Sequence, residues 1–180
     1  MAFSTPSIAA EDPVVDVAVT NLVLNKRVVG YYQPMRLNIT LHNQGDEEVT
    51  VDITIFVNAA RITGISNVTL ASGESLTVGI TRRALVEKGN YTISANTTLL
   101  LGETDVDDNT CLGGWLFVTL IGDVDGNRHI DIFDVVRVAV AYGASSWRDP
   151  RYDPYCDIDE NGAVNLFDLV HVAGPYGWFW

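Results

Sequence analysis

Twice in the last third of the chain, at an offset of 34 residues, the same twelve-residue pattern of oxygen-bearing side chains runs into an apolar helix-forming stretch. The first copy reads Asp123-Val-Asp125-Gly-Asn127-Arg-His129-Ile130-Asp131-Ile-Phe-Asp134, followed by Val-Val-Arg-Val-Ala-Val-Ala-Tyr-Gly. The second reads Asp157-Ile-Asp159-Glu-Asn161-Gly162-Ala163-Val164-Asn165-Leu-Phe-Asp168, followed by Leu-Val-His-Val-Ala-Gly-Pro-Tyr-Gly. Calcium takes oxygen ligands only, and a twelve-residue loop supplies them from its first, third, fifth, seventh, ninth and twelfth positions. The first three of these are Asp, Asp and Asn in both copies. The seventh contributes a backbone carbonyl, so His129 and Ala163 qualify whatever their side chains. The twelfth needs a carboxylate able to bind through both oxygens, and Asp134 and Asp168 stand there. Two calcium ions are therefore expected, one on Asp123, Asp125, Asn127, His129 and Asp134, the other on Asp157, Asp159, Asn161, Ala163 and Asp168. Acidic turns that merely cap two helices would also place Asp at a helix start, but capping alone does not call for two matched ligand patterns. Ile130 and Val164 are expected to pair, backbone and core, between the two loops. Arg128 occupies the sixth position, where the turn favours φ > 0 and hence glycine, so the first loop is expected to be the weaker.

The remainder has a different period. Val15, Val17 and Val19 alternate with polar or small residues, as do Met35 to Leu41, Val49 to Val57, Leu76 to Ile80 and Tyr91 to Ala95, and Gly113-Gly114 leads into Trp115-Leu-Phe-Val118. Strict alternation means strands with one buried and one wet face. Six or seven of them, punctuated by Asn43-Gln44-Gly45-Asp46 and Ser72-Gly73-Glu74, predict a mainly β chain built on an antiparallel sandwich. Charge also shifts along the chain: residues 1–121 hold 13 acids and 7 bases, residues 122–180 hold 10 and 4. Each part is net −6, but the second is half as long, which places a boundary near Leu120-Ile121-Gly122. The expected organisation is a tail over 1–12, a sandwich over 13–121 and a two-helix double calcium-loop module over 122–180. A net charge of −12 excludes a general nucleic-acid binder, which needs a basic face. No apolar run is long enough to span a membrane.

Glu87-Lys88-Gly89-Asn90-Tyr91 resembles the tyrosine corner of immunoglobulin-like folds. Together with the Asn43 turn and the acidic Glu103–Asn109 loop before the last strand, it makes residues 14–120 resemble the CARDB family, small immunoglobulin-like sandwiches of bacterial and archaeal surface proteins. With aspartate at position twelve and one helix per loop, residues 122–177 resemble the dockerin type I module. That resemblance implies calcium-dependent docking on a cohesin-like partner. Here, however, the pairs before position twelve are Ile132-Phe133 and Leu166-Phe167, where cellulosomal dockerins commonly carry Ser/Thr pairs. The whole arrangement resembles the cannula-forming proteins of hyperthermophilic archaea, which implies a secreted subunit that assembles with calcium into extracellular filaments or tubes of itself. The tail is then expected to add as a strand to an open sheet edge of a neighbouring copy.

No catalytic site is expected. His42, His129 and His171 lack Ser, Cys or carboxylate partners at suggestive spacing, and no phosphate loop or zinc motif is present. Cys111 and Cys156 lie on opposite sides of the boundary and read equally well as a disulfide or as two thiols. Sequons at Asn38, Asn67, Asn90 and Asn96 fit an exported chain, and no charged and apolar leader precedes Lys26, so the leader is expected to have been removed ahead of Met1.

Overall fold

The structure is a computed structural model that describes residues 12–103, 105–145 and 148–180. The expected donor tail therefore lies outside the described residues except for Asp12. Strands β1 (Val17–Leu24), β2 (Val28–Gly30), β3 (Pro34–Asn43), β4 (Val49–Val57), β5 (Ala60–Leu70), β6 (Ser75–Arg83), β7 (Gly89–Thr97) and β8 (Thr110–Thr119) are followed by α1 (Ile132–Ala141) and α2 (Leu166–Ala173). One sheet has the order β1-β3-β6, the other β2-β8-β7-β4-β5. All pairings are antiparallel except the short β2 on β8. The alternating residues read from the sequence make the sandwich core. Met35, Leu37, Ile39 and Leu41 of β3 pack with Val51, Ile53 and Ile55 of β4, Ile93 and Ala95 of β7, and Leu116 and Val118 of β8.

Four strands depart from the simple alternation, β8 among them with Leu116, Phe117, Val118 and Thr119 all buried. In β1, Val17, Ala18 and Val19 are all buried, and the register slips between Val19 and Asn21, so a bulge carries Leu22 and Leu24 back to the core. β5 and β2 give no period-two signal. β5 follows β4 through two register shifts, with Asn67 in the left-handed region at φ 58°. β2 is three residues long and owes its place to β8.

Two side chains tie the loops. The Tyr91 hydroxyl donates to the Glu87 carbonyl at 2.8 Å, closing the expected corner. Asn43 is wholly buried at the end of β3. Its amide donates to the carbonyls of Glu47, Leu70 and Ala71 at 2.8, 3.2 and 3.1 Å, and its Oδ1 accepts from Gly45 N–H at 3.0 Å. The β3–β4 turn is therefore pinned to the end of β5 by one residue, with no buried polar group of that side chain left over.

A second core gathers Val124, Ile130, Val138, Ala141, Cys156, Ile158, Val164 and Val172. Both helices open with a capping box: Asp131 and Asn165 accept from the N–H of Phe133 and Phe167, while Asp134 and Asp168 reach back to the cap N–H. Ile130 and Val164 share this core, but the two loops do not pair with each other as expected. Ile130 N–H donates to Trp178 O and its carbonyl accepts from Gly177, while Val164 exchanges bonds with Ala144 and Gly143. The segment leaving each helix folds over the opposite loop and takes the backbone groups that the loops would otherwise have offered each other. Both cysteines are free thiols. Cys156 is enclosed in the second core, where burial pushes its pKa up to about 12, and Cys111 lies along β8.

Candidate metal centre

Each twelve-residue loop wraps its backbone around its own carboxylates. In the first, Asp123 Oδ1 accepts from Gly126 and Asn127 N–H at 2.8 and 3.1 Å, and Oδ2 from Arg128 N–H at 2.9 Å. Asp134 Oδ1 accepts from Val124 and Asp125 at 2.8 and 3.2 Å, and Oδ2 from Asp131 at 2.9 Å. The second loop repeats most of this pattern, without a counterpart to the Gly126 bond. Asp157 receives Asn161 and Gly162, and Asp168 receives Ile158, Asp159 and Asn165. Asn127 and Asn161 each turn an Oδ1 onto the N–H two residues on, at 2.7 and 3.0 Å.

The first, third and twelfth aspartates thereby converge. One carboxylate oxygen each from Asp123, Asp125 and Asp134 lies within 4.8 Å of the others, and the same holds for Asp157, Asp159 and Asp168. Among the described residues these are the groups of three or more acidic, His or Cys side chains that can hold a cation. Asp123, Asp134, Asp157 and Asp168 are buried. Desolvation pushes the carboxyls of Asp123, Asp134 and Asp157 above the usual carboxylate range, although several N–H groups and two hydroxyls donate to them. Three acidic oxygens held this close, two of the three side chains out of water, form a hard, anionic donor set suited to an oxygen-seeking divalent ion. Asn127, Asn161 and the main chain at His129 and Ala163 lie on the same loops. The seventh-position residues enter by backbone, and the His129 ring stacks on Phe179 at 6.0 Å instead.

The two loops differ at the sixth position. Gly162 has φ 91°, and Arg128 holds φ 75° with a full side chain, a conformation costing an L-residue about 1–2 kcal/mol. Its guanidinium lies 5.7 Å from the Phe117 ring and 5.3 Å from the Trp180 ring. These cation–π contacts, worth about 0.5–1 kcal/mol each at such sites, offset much of the strain and seat the loop against β8.

Several residues that serve the loops gave no signal in sequence. Thr119 at the end of β8 donates its hydroxyl to Asp123 Oδ2, and Tyr152 donates to Asp157 Oδ2 at 2.6 Å. Lys26, in the β1–β2 connector, reaches the second loop. All three lie outside the repeat, so its periodicity does not point to them.

Other candidates resolve as structural. In the acidic Glu103–Asn109 loop, Glu103 accepts from Val17 and Leu100 N–H, Asp108 from the Gln44 amide, and Asn109 from Thr97. Of these carboxylates Glu103 holds β1 and Asp108 the β3–β4 turn, and after desolvation the charges of Asp108, Asp105 and Glu103 help push the Asp16 carboxyl above the usual range. His42 does have a serine neighbour, contrary to expectation: Nδ1 is 2.9 Å from Ser75 Oγ on the exposed face of the three-stranded sheet. The same nitrogen is 3.2 Å from the Glu74 carbonyl. In the tautomer with its proton on Nδ1, this nitrogen donates to that carbonyl and does not accept from Ser75. Of the sequon asparagines, Asn38, Asn67 and Asn90 are exposed and Asn96 is half-buried.

Outside the loops the helices face solvent with apolar side chains. Phe133 and Phe167 are each 69% exposed, with Ile132, Val136, Val140, Leu166 and Val170 exposed beside them. A cavity of about 750 Å³ opens between α2 and the sandwich, lined by Tyr31, Leu120, Ile121, Val170, Pro175 and Trp178 among others. No helix among the described residues is long and apolar enough to cross a membrane.

No family model matches the chain, and no curated protein matches it. Solved structures do. The CARDB domain of a Pyrococcus furiosus protein, in complex with di-metal ions, is 18% identical over 59% of this chain and 96% of its own, with a TM-score of 0.48. A domain of a candidate cell-surface protein of Methanosarcina acetivorans is 17% identical over 58% of this chain and 92% of its own, with a TM-score of 0.45. A β-glucosidase from Erythrobacter marinus is 14% identical over 58% of this chain but only 15% of its own, with a TM-score of 0.42. By its own strands this chain is mainly β, and a CARDB sandwich is among its structural neighbours.

Proposed function

We propose that this chain is a secreted structural subunit whose C-terminal module binds two calcium ions and, once ordered by them, joins copies of the chain into extracellular filaments or tubes. The observation that carries this reading is the placement of bulky apolar pairs, Ile132-Phe133 and Leu166-Phe167, exposed on the first turn of each helix directly before the buried twelfth-position aspartate. Calcium would supply charge neutralisation and a fixed ligand geometry at Asp123, Asp125, Asn127, Asp134 and the His129 carbonyl, and at Asp157, Asp159, Asn161, Asp168 and the Ala163 carbonyl. The residues of the chain do the rest: the two aspartates at N3 cap the helices, and the helices present their apolar faces. Exposed apolar patches of this kind mark association surfaces.

Electrostatics supports a calcium trigger. Copies of net charge −12 repel over about 10 Å at 0.1 M salt. Two divalent ions bring the module from −6 to −2. The architecture and the dockerin-like loops also fit the cannula-forming proteins that the sequence resembles. A second reading rests on the same pairs. Their matched positions on two pseudo-symmetric helices suit a dockerin-type surface for a cohesin-like partner at the cell surface. Light scattering and negative-stain microscopy of the pure chain separate the two. Growth of filaments or tubes on adding millimolar calcium, reversed by chelator, supports self-assembly. A calcium-loaded monomer at high concentration refutes it and leaves the docking reading.

A further inference from the structure

The connector between β1 and β2, Asn25-Lys26-Arg27, is polar in sequence and reads as a solvated turn, yet Lys26 is only 2% exposed. Its Nζ lies 2.8 Å from Glu160 Oε1, whose side chain is 7% exposed, and donates to the Asp157 carbonyl at 3.0 Å. Asn25 Nδ2 donates to the same Glu160 oxygen at 2.7 Å, and Arg27 N–H donates to the Tyr155 hydroxyl at 3.2 Å. One three-residue turn of the sandwich thus grips the first and fourth positions of the second loop and the residues leading into it. The sandwich holds the first loop differently, through the Thr119 hydroxyl on Asp123 Oδ2. The fourth position of that loop is Gly126, packed so near β2 that an added Cβ would come within 3.1 Å of Val28.

A buried ammonium is tolerated only while its partner stays in place. Glu160 sits between Asp159 and Asn161 with φ 59°, so its position follows from the fold of the loop around it. Asp157 offers its side chain to the centre of the loop and its carbonyl to Lys26. We infer that Lys26 is a positioning residue for the second loop, and that filling this loop and locking the module onto the sandwich form one linked equilibrium. This rests on the calcium reading above. Linkage makes the effect reciprocal: whatever order a cation brings to Asp157–Asp168 is passed to residues 25–27, and loosening residues 25–27 lowers the affinity of the loop.

The test uses the full chain labelled with ¹⁵N and titrated with calcium from a chelated start. The amides of Gly162 and Gly126, bonded to Asp157 and Asp123 respectively, report the two loops separately, and hydrogen exchange is followed at the Arg27 amide. In the wild type, calcium should slow exchange at Arg27 by about tenfold or more. The double variant K26M/E160M keeps volume and net charge. In it the Gly162 midpoint should rise about tenfold, the scale on which outer-shell partners act, with the Gly126 midpoint unmoved and Arg27 exchange no longer responding to calcium. A general loss of stability would not single out one loop in this way. The inference is overturned if calcium fills both loops of the wild type while Arg27 exchange stays the same, or if the variant fills the second loop at the wild-type midpoint. Should the variant not fold, the wild-type exchange measurement decides alone. If neither glycine of the wild type responds to calcium, the calcium reading itself falls, and this inference with it.

Discussion

Replacing Asp168 by asparagine leaves the volume of the side chain unchanged and separates its capping role from the ligation proposed for it. The residue is wholly buried. Ile158 N–H donates to its Oδ1 at 2.7 Å and Asn165 N–H to its Oδ2 at 2.8 Å. A carboxylate serves both donors, whereas a carboxamide serves one and turns an N–H toward the other whichever way it is flipped. Losing one hydrogen bond between a buried donor and a charged acceptor costs about 1.5–3 kcal/mol. For a chain of this length each kcal/mol moves the Tm by about 2–4 °C, so in chelator Asp168→Asn should melt about 3–12 °C below the wild type. In calcium the deficit should widen, because the ligand able to bind through both oxygens is gone. A hundredfold loss of affinity removes about 2.7 kcal/mol of ligand-linked stability. Asn127→Ala, which deletes a neutral and exposed side chain, should reduce the calcium increment less. Differential scanning calorimetry with chelator and with millimolar calcium measures both terms. An Asp168→Asn protein that melts with the wild type in chelator refutes the capping role, and one with an undiminished calcium increment refutes ligation.

Three further outcomes are expected. Asp16, Asp123, Asp134 and Asp157 have folded-state pKa values raised above the ordinary 3.8, chiefly by desolvation. The folded chain therefore holds protons that the unfolded chain has released, and this contribution is complete below about pH 4 and lost as pH rises through the raised values. In chelator the melting temperature should accordingly fall as pH is raised from about 4, and a rise over that range would contradict it. Tyr91→Phe removes the corner hydrogen bond to Glu87 and should cost about 1 kcal/mol in urea unfolding without changing calcium binding. The double variant Phe133→Ser/Phe167→Ser should keep both calcium sites by calorimetry and lose calcium-induced scattering, and scattering at the wild-type rate would show that these faces are not the contact.

Where one pattern repeats or alternates, the sequence was readable. β3 places every apolar residue of its alternation in the core and β4 all but the half-buried Val49, and the first, third and twelfth aspartates of each loop converge. β5 escaped because its side chains are mostly half-exposed at the sheet edge, where polar and apolar residues serve equally well. β2 escaped because three residues hold too little pattern. Lys26 was unreadable for another reason. Its burial depends on Glu160, 134 positions further along, and no local rule distinguishes it from the exposed lysine of an ordinary turn. The pairing of Ile130 and Val164 was misjudged because proximity in the core does not fix which backbone closes on which. That is decided by where the chain goes after each helix.

The exchange of segments beyond the helices makes the two copies of the repeat hostages to each other. Residues 143–144 line the second loop although they follow the first helix, and residues 177–180 line the first loop although they follow the second. A single copy cut from the chain would keep its aspartates and its helix but lose a wall of its loop, leaving the amide and carbonyl of Ile130, or of Val164, open to water. Because each copy supplies a wall of the other's loop, damage to either is felt in both.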